Sequence, residues 1–309
     1  LIENSWEERK MKNLYKAIAL ALAITGATGA TATFADVNQT DAVVESRAAA
    51  VQSGWYYNGH VWRYFKNGTV QTGWINDSGK WYFLSYDDGA MVTYPTEIGG
   101  SIYVFRADGS LVESGWSYAL NQWYYVNADT NTAARNELKV VDGLRYCFDN
   151  DGVMQVGPNW AGGNYSLFGE SGARVEWGWS NFRGTWYYSN HGFLKTDEWL
   201  YDGGNWYYLD GNGRMLANTY YHDYRDGKTY VFNNSGAMLK NGWQKVGGYW
   251  YYLNSDGSAK KGWLLNGGKW YYLGSDGRMY ANTTANIDGT LYFFDSTGEI
   301  GRASCRERV

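Results

Sequence analysis

Tryptophans are the residues of this sequence best suited to binding chemistry, and they recur at a fixed spacing. Seven pairs follow the rule Trp-x6-Trp, and together they use fourteen of the 17 tryptophans. An indole face carries negative potential, so several indoles around one gap attract a quaternary ammonium ion. The same rings offer flat surfaces on which a sugar could stack. The pairs are Trp55/Trp62, Trp74/Trp81, Trp116/Trp123, Trp179/Trp186, Trp199/Trp206, Trp243/Trp250 and Trp263/Trp270.

Catalytic arrangements are not found among the sequence motifs. The three histidines, His60, His191 and His222, lie far apart and lack the spacing of metal ligands. Most acidic residues belong to Asp-Gly turns, where hydrogen bonds to the local backbone account for them. No Gly-x-Ser-x-Gly or Cys/His nucleophile signature occurs. We therefore expect a non-enzymatic chain without catalytic residues, metal or cofactor.

Charge and cysteine content exclude two further classes. Lys and Arg number 27 against 31 Asp and Glu, which gives a formal net charge of −4. Because proteins that bind nucleic acid present a basic surface, we expect no nucleic-acid partner. The two cysteines, Cys147 and Cys305, cannot build a disulfide framework, so stability must come from stacking. Cys147 is expected to be a small buried hydrophobic residue.

The tryptophan pairs belong to a longer repeat, written most clearly in residues 242–277. There GWQKVGGYWYYLNSDGSAKK is followed by GWLLNGGKWYYLGSDG. A period of about 20 residues is typical of arrays in which one small unit stacks on its neighbours. We anchor each unit on the first residue of its aromatic triplet, which gives twelve units. The anchors are Trp62, Trp81, Ile102, Trp123, Arg145, Tyr165, Trp186, Trp206, Thr229, Trp250, Trp270 and Leu291.

Each unit is predicted to be a short β-hairpin. Gly247-Gly248 can supply the positive φ angles of a tight hairpin turn, and the following Trp-Tyr-Tyr-Leu run favours a strand. Alternation along that strand puts Trp250 and Tyr252 on one face and Tyr251 on the other. Because an isolated hairpin is marginal in water, we predict an all-β solenoid of about twelve stacked hairpin repeats of about 20 residues.

The ends of the chain differ from the repeats. Residues 1–10 are predicted to be an untranslated leader, because Trp6–Lys10 can be encoded by a run that resembles a ribosome-binding site ahead of Met11. Residues 11–35 are predicted to be a signal peptide, cleaved after Ala35 or Ala32, with an apolar core too short for a membrane span. Residues 36–53 are a flexible lead-in, residues 54–298 the repeat array, and residues 299–309 a sequencing-adapter artefact.

The repeat itself resembles a known family. Its Gly-Trp, Gly-Gly-x-Trp-Tyr-Tyr-Leu and Asp-Gly-x-Met elements resemble the choline-binding, or cell-wall-binding, repeats of Gram-positive surface proteins. The likeness covers residues 54–298, and it extends to the repeats of glucan-binding proteins and clostridial toxin tails. The choline-binding family holds its ligand between consecutive hairpins, in a box of three aromatic rings. The resemblance therefore implies a secreted, non-catalytic protein that attaches at a cell surface or cell wall to choline-bearing teichoic acid.

The resemblance implies three boxes when the family's motif positions are carried onto neighbouring repeats that both have the tryptophan pair. A methionine of the Gly-x-Met element is a candidate floor of each box. Units anchored at Ile102, Arg145, Thr229 and Leu291 lack the tryptophan pair and are expected not to bind choline. The first box contains Trp243, Trp250 and either Tyr272 or Trp270. The second contains Trp179, Trp186 and either Tyr208 or Trp206. The third contains Trp55 and Trp62 with Trp81 or Tyr82.

Two alternative functions stay open. A glucan- or glycan-binding array would use the same rings as stacking platforms for a sugar. A wall hydrolase would use the array as a targeting region, with its catalytic domain outside this sequence.

Overall fold

The computed structural model describes residues 53–301. The predicted leader, the signal peptide, the lead-in up to residue 52 and the tail from residue 302 lie outside the described residues. The chain divides into two compact units, Leu1–Val92 and Thr93–Val309. Within residues 53–301 the secondary structure consists of strands and turns, without a helix. The predicted all-β class is confirmed.

The described residues form twelve antiparallel hairpins, numbered 1 to 12 in chain order. Hairpin 1 contains β1 (Ser53–Tyr57) and β2 (Trp62–Lys66), extended by β3 (Thr69–Val70), and hairpin 2 contains β4 (Gly73–Asp77) and β5 (Lys80–Leu84). Hairpin 3 contains β6 (Thr96–Ile98) and β7 (Ser101–Tyr103), hairpin 4 β8 (Gly115–Ala119) and β9 (Gln122–Val126), hairpin 5 β10 (Glu137–Val141) and β11 (Leu144–Phe148), and hairpin 6 β12 (Gly157–Ala161) and β13 (Asn164–Phe168).

The remaining six hairpins follow the same plan, so the predicted number of about twelve is confirmed. Hairpin 7 contains β14 (Gly178–Phe182) and β15 (Thr185–Asn190), extended by β16 (Phe193–Leu194), hairpin 8 β17 (Glu198–Asp202) and β18 (Asn205–Leu209), and hairpin 9 β19 (Thr219–Asp223) and β20 (Lys228–Phe232). Hairpin 10 contains β21 (Gly242–Val246) and β22 (Tyr249–Leu253), hairpin 11 β23 (Gly262–Asn266) and β24 (Lys269–Leu273), and hairpin 12 β25 (Thr283–Ile287) and β26 (Thr290–Phe294), extended by β27 (Ile300–Gly301).

The tight turns have the chemistry that the sequence predicts. In hairpin 10, Val246 pairs with Tyr249, and the two residues between them are Gly247 at φ 58° and Gly248 at φ 87°. Two successive positive φ angles define a turn whose twist matches the right-handed twist of the flanking strands. The last repeat pairs Ile300 with Phe294, so its strand pairing continues past residue 298.

Successive hairpins are joined by one recurring backbone hydrogen bond. After most second strands the chain turns back, and the amide of the residue that closes the repeat donates to the anchor carbonyl of the preceding hairpin. Met279 donates to the Trp250 carbonyl at 2.8 Å, for example. This bond joins neighbouring hairpins into one stack within each of the two compact parts of the chain. It recurs at 2.7–2.9 Å from Met91 to Trp62, Ala133 to Ile102, Met154 to Trp123, Arg174 to Arg145, Met215 to Trp186, Met238 to Trp206 and Ala259 to Thr229.

The core consists mainly of aliphatic and phenylalanine side chains, joined by buried tyrosines such as Tyr208 and Tyr251. The residue three positions after each anchor is buried, as Leu253 and Leu273 illustrate with exposed fractions of 1% and 0%. The apolar side chains at this position each contribute about 1.5–3 kcal/mol by leaving water, whereas hairpin 7 has the buried serine Ser189 there. Cys147 is buried against Phe168 and Ala161, as predicted, and burial raises the pKa of its thiol. The core therefore does not need the anchor tryptophans.

The methionines that close the units pack against glycines of the next unit. Gly257 has φ +87°, and a Cβ built on it would lie 2.6 Å from Cε of Met238. This glycine therefore admits both a left-handed backbone and a close thioether contact. The structure thus places these methionines between successive turns, whereas the sequence analysis proposed them as candidate cage floors. The same contact joins Met154 to Gly172, Met215 to Gly236 and Met279 to Gly298.

Candidate functional site

Seven hairpins carry a Trp-x6-Trp pair. In each of them the tryptophan of the first strand packs edge to face against the aromatic ring opposite it on the second strand. Trp243 pairs with Tyr252 across hairpin 10, and their ring centroids lie 5.3 Å apart at 81°. Contacts of this kind hold the indole in one orientation, because the edge of one ring meets the face of the other. The equivalent pairs, at 5.0–5.2 Å, are Trp55–Tyr64, Trp74–Phe83, Trp116–Tyr125, Trp179–Tyr188, Trp199–Tyr208 and Trp263–Tyr272.

A tyrosine of the next hairpin covers the same indole from the other side. The Trp243 centroid lies 4.9 Å from that of Tyr271, at 67°. This tyrosine is the middle residue of the aromatic triplet of the following hairpin. Corresponding contacts at 4.7–5.0 Å are Trp55–Tyr82, Trp116–Tyr146, Trp179–Tyr207, Trp199–Tyr230 and Trp263–Tyr292.

The anchor tryptophan forms the third wall. Trp250 lies 6.4 Å from Trp243 with its ring plane at 87°, and it is 40% exposed. The two indoles and the Tyr271 ring therefore line a corner-shaped space, which is open to solvent beside the exposed Trp250. Four further pairs have near-perpendicular indoles with ring centroids 6.2–6.4 Å apart. They are Trp74–Trp81, Trp116–Trp123, Trp199–Trp206 and Trp263–Trp270. Further exposed anchors are Trp62 and Trp186, each 44% exposed.

Between residues 93 and 301, four junctions combine both indole walls with a tyrosine of the next hairpin, and we call these sets aromatic cages. Three of them were missed, because the sequence interpretation required a tryptophan pair in the following unit as well. The following unit contributes only its middle triplet residue, so a tyrosine one position after the anchor was the available signal. The cages are Trp116–Trp123–Tyr146, Trp199–Trp206–Tyr230, Trp243–Trp250–Tyr271 and Trp263–Trp270–Tyr292.

At the first predicted box the structure brings a different third ring to the two indoles. At the Trp243 junction the ring from the next hairpin is Tyr271, whereas Tyr272 and Trp270 pack on Trp263 of their own hairpin. The physical reason is the two-residue alternation of a strand. The middle triplet residue faces the preceding hairpin, while its two neighbours face the first strand of their own hairpin.

The other two predicted boxes follow the same rule. Trp179 meets Tyr207, whereas the predicted Tyr208 and Trp206 pack on Trp199. Trp55 meets Tyr82, one of its two predicted partners, and the other, Trp81, packs on Trp74. Trp62 packs on Tyr57 at 5.1 Å, and Trp186 accepts the Met215 amide at its carbonyl.

An acceptor from the next hairpin receives the N–H of several first-strand indoles. Trp199 Nε1–H donates to Oδ2 of Asp223 at 2.9 Å, and Trp243 donates to Oδ1 of Asn266 at 3.2 Å. Each acceptor is the last residue of the next first strand, three positions after its tryptophan or tyrosine. That recurring Asp or Asn was a sequence signal, but it looks like an ordinary turn residue. The other two bonds are Trp55 to Asp77 and Trp179 to Asp202.

The Asp223 acceptor is both buried and charged. Burial by itself raises the pKa of this carboxyl, but hydrogen bonds from Trp199 and Arg225 outweigh it and hold the pKa below its usual value. The carboxylate is therefore ionised at neutral pH. At this cage a fixed negative charge lies at the edge of the indole.

Two family descriptions match parts of the chain that contain these hairpins. The family described as "Choline-binding repeat" matches residues 240–283, and the family described as "Putative cell wall binding repeat" matches residues 72–91 and 197–215. The chain carries choline-binding, or cell-wall-binding, repeats. The first match contains hairpins 10 and 11, and the second contains hairpins 2 and 8.

Proteins from streptococci are similar to parts of this chain. Glucosyltransferase-S of Streptococcus mutans serotype c is 31% identical over 166 residues, 51% of this chain and 11% of the relative. Glucosyltransferase-S of Streptococcus downei is 31% identical over 172 residues, 52% of this chain and 12% of the relative. The chain thus spans only a small part of these relatives. Among solved structures, choline-binding protein F from Streptococcus pneumoniae is 25% identical, with 82% of this chain and 99% of that chain covered and a TM-score of 0.41.

The described part of the chain holds neither a membrane-spanning helix nor a metal-binding cluster. Between residues 53 and 301 no helix is long and apolar enough to cross a membrane. Over the same residues no group of three or more histidine, cysteine, aspartate or glutamate side chains is placed to hold a metal ion. The aromatic cages are the candidate functional site, because their rings converge on spaces open to solvent.

Proposed function

We propose that this chain is a secreted, non-catalytic binding protein that attaches to choline-bearing teichoic acid of a cell surface through its aromatic cages. The observation that carries the proposal is the corner formed by Trp243 and Trp250, two indoles at 87° and 6.4 Å, closed by Tyr271 at 4.9 Å from Trp243. Three ring faces and edges converge there on a space that solvent reaches. A trimethylammonium group has the size and charge to enter such a corner.

The energetics favour a cation over a neutral ligand in the cage. Each good cation–π contact contributes about 0.5–2 kcal/mol, and more when water is excluded. The Nζ atom of Lys245 already lies 6.0 Å from the Trp250 ring centroid, which supports attraction of cations to this exposed face. A core role alone does not explain the anchors, because six of them are indoles that are 40–47% exposed.

Repetition of the cage provides the affinity that one cage lacks. A teichoic acid carries many choline groups, so binding at one cage raises the effective concentration of choline at the next. Linked weak sites of this kind reach overall affinities about 10²–10⁴-fold above a single site. The stack of hairpins holds the cages at fixed separations within each unit, which suits a repetitive polymer.

Glucan binding is the second candidate, favoured by the two Glucosyltransferase-S relatives. A sugar ring would lie flat on an exposed anchor such as Trp270 and would need polar groups around it. The right-angled arrangement of Trp263 and Trp270 leaves room for a compact group more readily than for a flat ring. A third candidate is the targeting region of a wall hydrolase whose catalytic domain lies outside this sequence.

Chromatography distinguishes the first two candidates directly. The proposal predicts retention on a resin that carries tertiary amines and release by free choline. Retention on dextran beads that choline does not reverse would instead support the glucan reading. Failure to bind either support would contradict both, and the sequence of the intact gene would test the hydrolase alternative.

A further inference from the structure

Hairpin 9 departs from the cage pattern at both tryptophan positions. Tyr220 occupies the first-strand position, and Thr229 occupies the anchor position, where it is fully buried. Tyr220 still faces the middle triplet residue of the next hairpin, because its centroid lies 6.3 Å from that of Tyr251. This junction therefore keeps two rings and lacks the exposed indole wall.

The guanidinium of Arg278 fills the space beside these rings. Its Cζ atom lies 4.8 Å from the Tyr220 centroid and 4.0 Å from the Tyr249 centroid. Its Nε–H donates to the Tyr251 hydroxyl at 3.4 Å, and it forms an ion pair with Asp276 at 3.3 Å. Arg278 comes from the turn that follows hairpin 11, so this contact ties three consecutive units together.

The second strand of hairpin 10 thus contributes rings to two cation-binding environments, one on each face of the strand. Trp250 faces the cage with Trp243, while Tyr249 and Tyr251, one residue before and after it, face Arg278. This division follows from the alternation of side chains along a strand. The exposed Tyr249 supplies the wall that the missing anchor indole would have formed.

We propose that Tyr220, Tyr249 and Tyr251 form a further cation site of the array, which the chain's own Arg278 occupies. The inference rests on the proposed function, because it takes a quaternary ammonium ion as the external ligand of the same chemical class. Guanidinium is a weakly hydrated, delocalised cation that stacks on aromatic faces. Being tethered, it has a high effective concentration at the site. The junction is therefore closed to free choline.

Removal of the guanidinium should leave a usable site. The three rings would remain, together with the Asp276 carboxylate, which would have lost its cationic partner. An open groove of about 640 Å³ borders this site, because Tyr220 and Asp276 line it together with Tyr221, His222 and Tyr224. A trimethylammonium ion could then take the position of the guanidinium.

Calorimetric titration of the full chain with choline tests this proposal. Arg278→Ala is expected to bind one more equivalent of choline than the unsubstituted protein, whereas Arg278→Lys, which keeps a tethered cation, is expected to add none. Lys228→Ala is the matched control, because Lys228 ion-pairs with Asp256 at 3.0 Å across neighbouring units. It is expected to leave the stoichiometry unchanged. An unchanged stoichiometry in folded Arg278→Ala would overturn the proposal.

A second readout uses the unsubstituted protein, so it does not depend on folding of the alanine variant. The caged guanidinium should give an arginine Nε–H resonance shifted upfield by ring currents, which millimolar choline leaves in place and Arg278→Lys removes. Lack of any such resonance would overturn the proposal. Failure of the unsubstituted protein to bind choline would instead reject the proposed function, while this resonance would still decide whether the site exists.

Discussion

The indole N–H of Trp199 donates a 2.9 Å hydrogen bond to the carboxylate of Asp223, and this bond links hairpin 8 to hairpin 9. The same carboxylate accepts a 3.0 Å hydrogen bond from Nε of Arg225. Trp199 is also a wall of an aromatic cage, so one residue serves both the stacking of repeats and the candidate binding site. Cage geometry thus depends on a polar contact between units as well as on the rings.

Acid should weaken the Trp199–Asp223 link. The pKa of Asp223 is lowered in the folded state, so its contribution to stability is fully present above the unfolded value of about 3.9 and is lost as pH falls through the folded value. We expect Asp223→Asn to reduce the free energy of unfolding by about 1.5–3 kcal/mol at pH 7 and by less below pH of about 4. Urea unfolding at several pH values measures this difference.

The neighbouring cage provides the control for this prediction. Trp243 donates to the neutral amide of Asn266, so Asn266→Asp should introduce a similar acid-sensitive contribution there. A difference between Asp223→Asn and the unsubstituted protein that stayed constant from neutral to acidic pH would show that the carboxylate charge has no role.

Trp250→Ala should remove one cage and leave the fold in place. Trp250 is 40% exposed, so we expect a stability loss of about 1–2 kcal/mol, against about 3–5 kcal/mol for a core tryptophan. Calorimetry should show one fewer choline site with the remaining sites unaffected. Trp160→Ala is the control, because Trp160 is 69% exposed and belongs to no cage. Loss of the circular dichroism signal in Trp250→Ala would favour a core role instead.

Gly257→Ala should loosen the stack between hairpins 9 and 10. The alanine would have to adopt φ +87°, and its Cβ would lie 2.6 Å from Cε of Met238. Together these effects should cost about 2–4 kcal/mol, measured by thermal or urea unfolding. Adding Met238→Ala should give a smaller total loss than the sum of the two single losses, because the clash disappears.

A turn glycine offers the comparison for Gly257. Gly247 has φ +58°, and a Cβ built on it would lie 3.5 Å from the Asn218 carbonyl oxygen, an ordinary contact distance. Asn-Gly is also a favoured sequence for this turn. Gly247→Asn should therefore be close to neutral. Equal losses for Gly257→Ala and Gly247→Asn would mean that the methionine contact does not limit the stack.

The hairpins and their number could be predicted because they depend on local rules. Positive φ angles at Gly247-Gly248 and strand-forming triplets act within one repeat. The choice of Tyr271 over Tyr272 depends on which strand face meets the preceding hairpin, and that requires the orientation of one unit on another. Asp223 was missed for the same reason, since its tryptophan partner lies in a different repeat and an aspartate before a turn has a local explanation.

The central claim is that the cages recognise positive charge, and it can be tested by comparing choline with 3,3-dimethyl-1-butanol, its neutral analogue of nearly the same shape. Three ring contacts at about 0.5–2 kcal/mol each predict that choline binds at least about tenfold more tightly than the neutral alcohol. Calorimetric titration measures the two dissociation constants. Choline alone should raise the melting temperature at millimolar concentration, because it binds the folded state. Equal affinity for the two compounds, or binding of neither, would contradict this account.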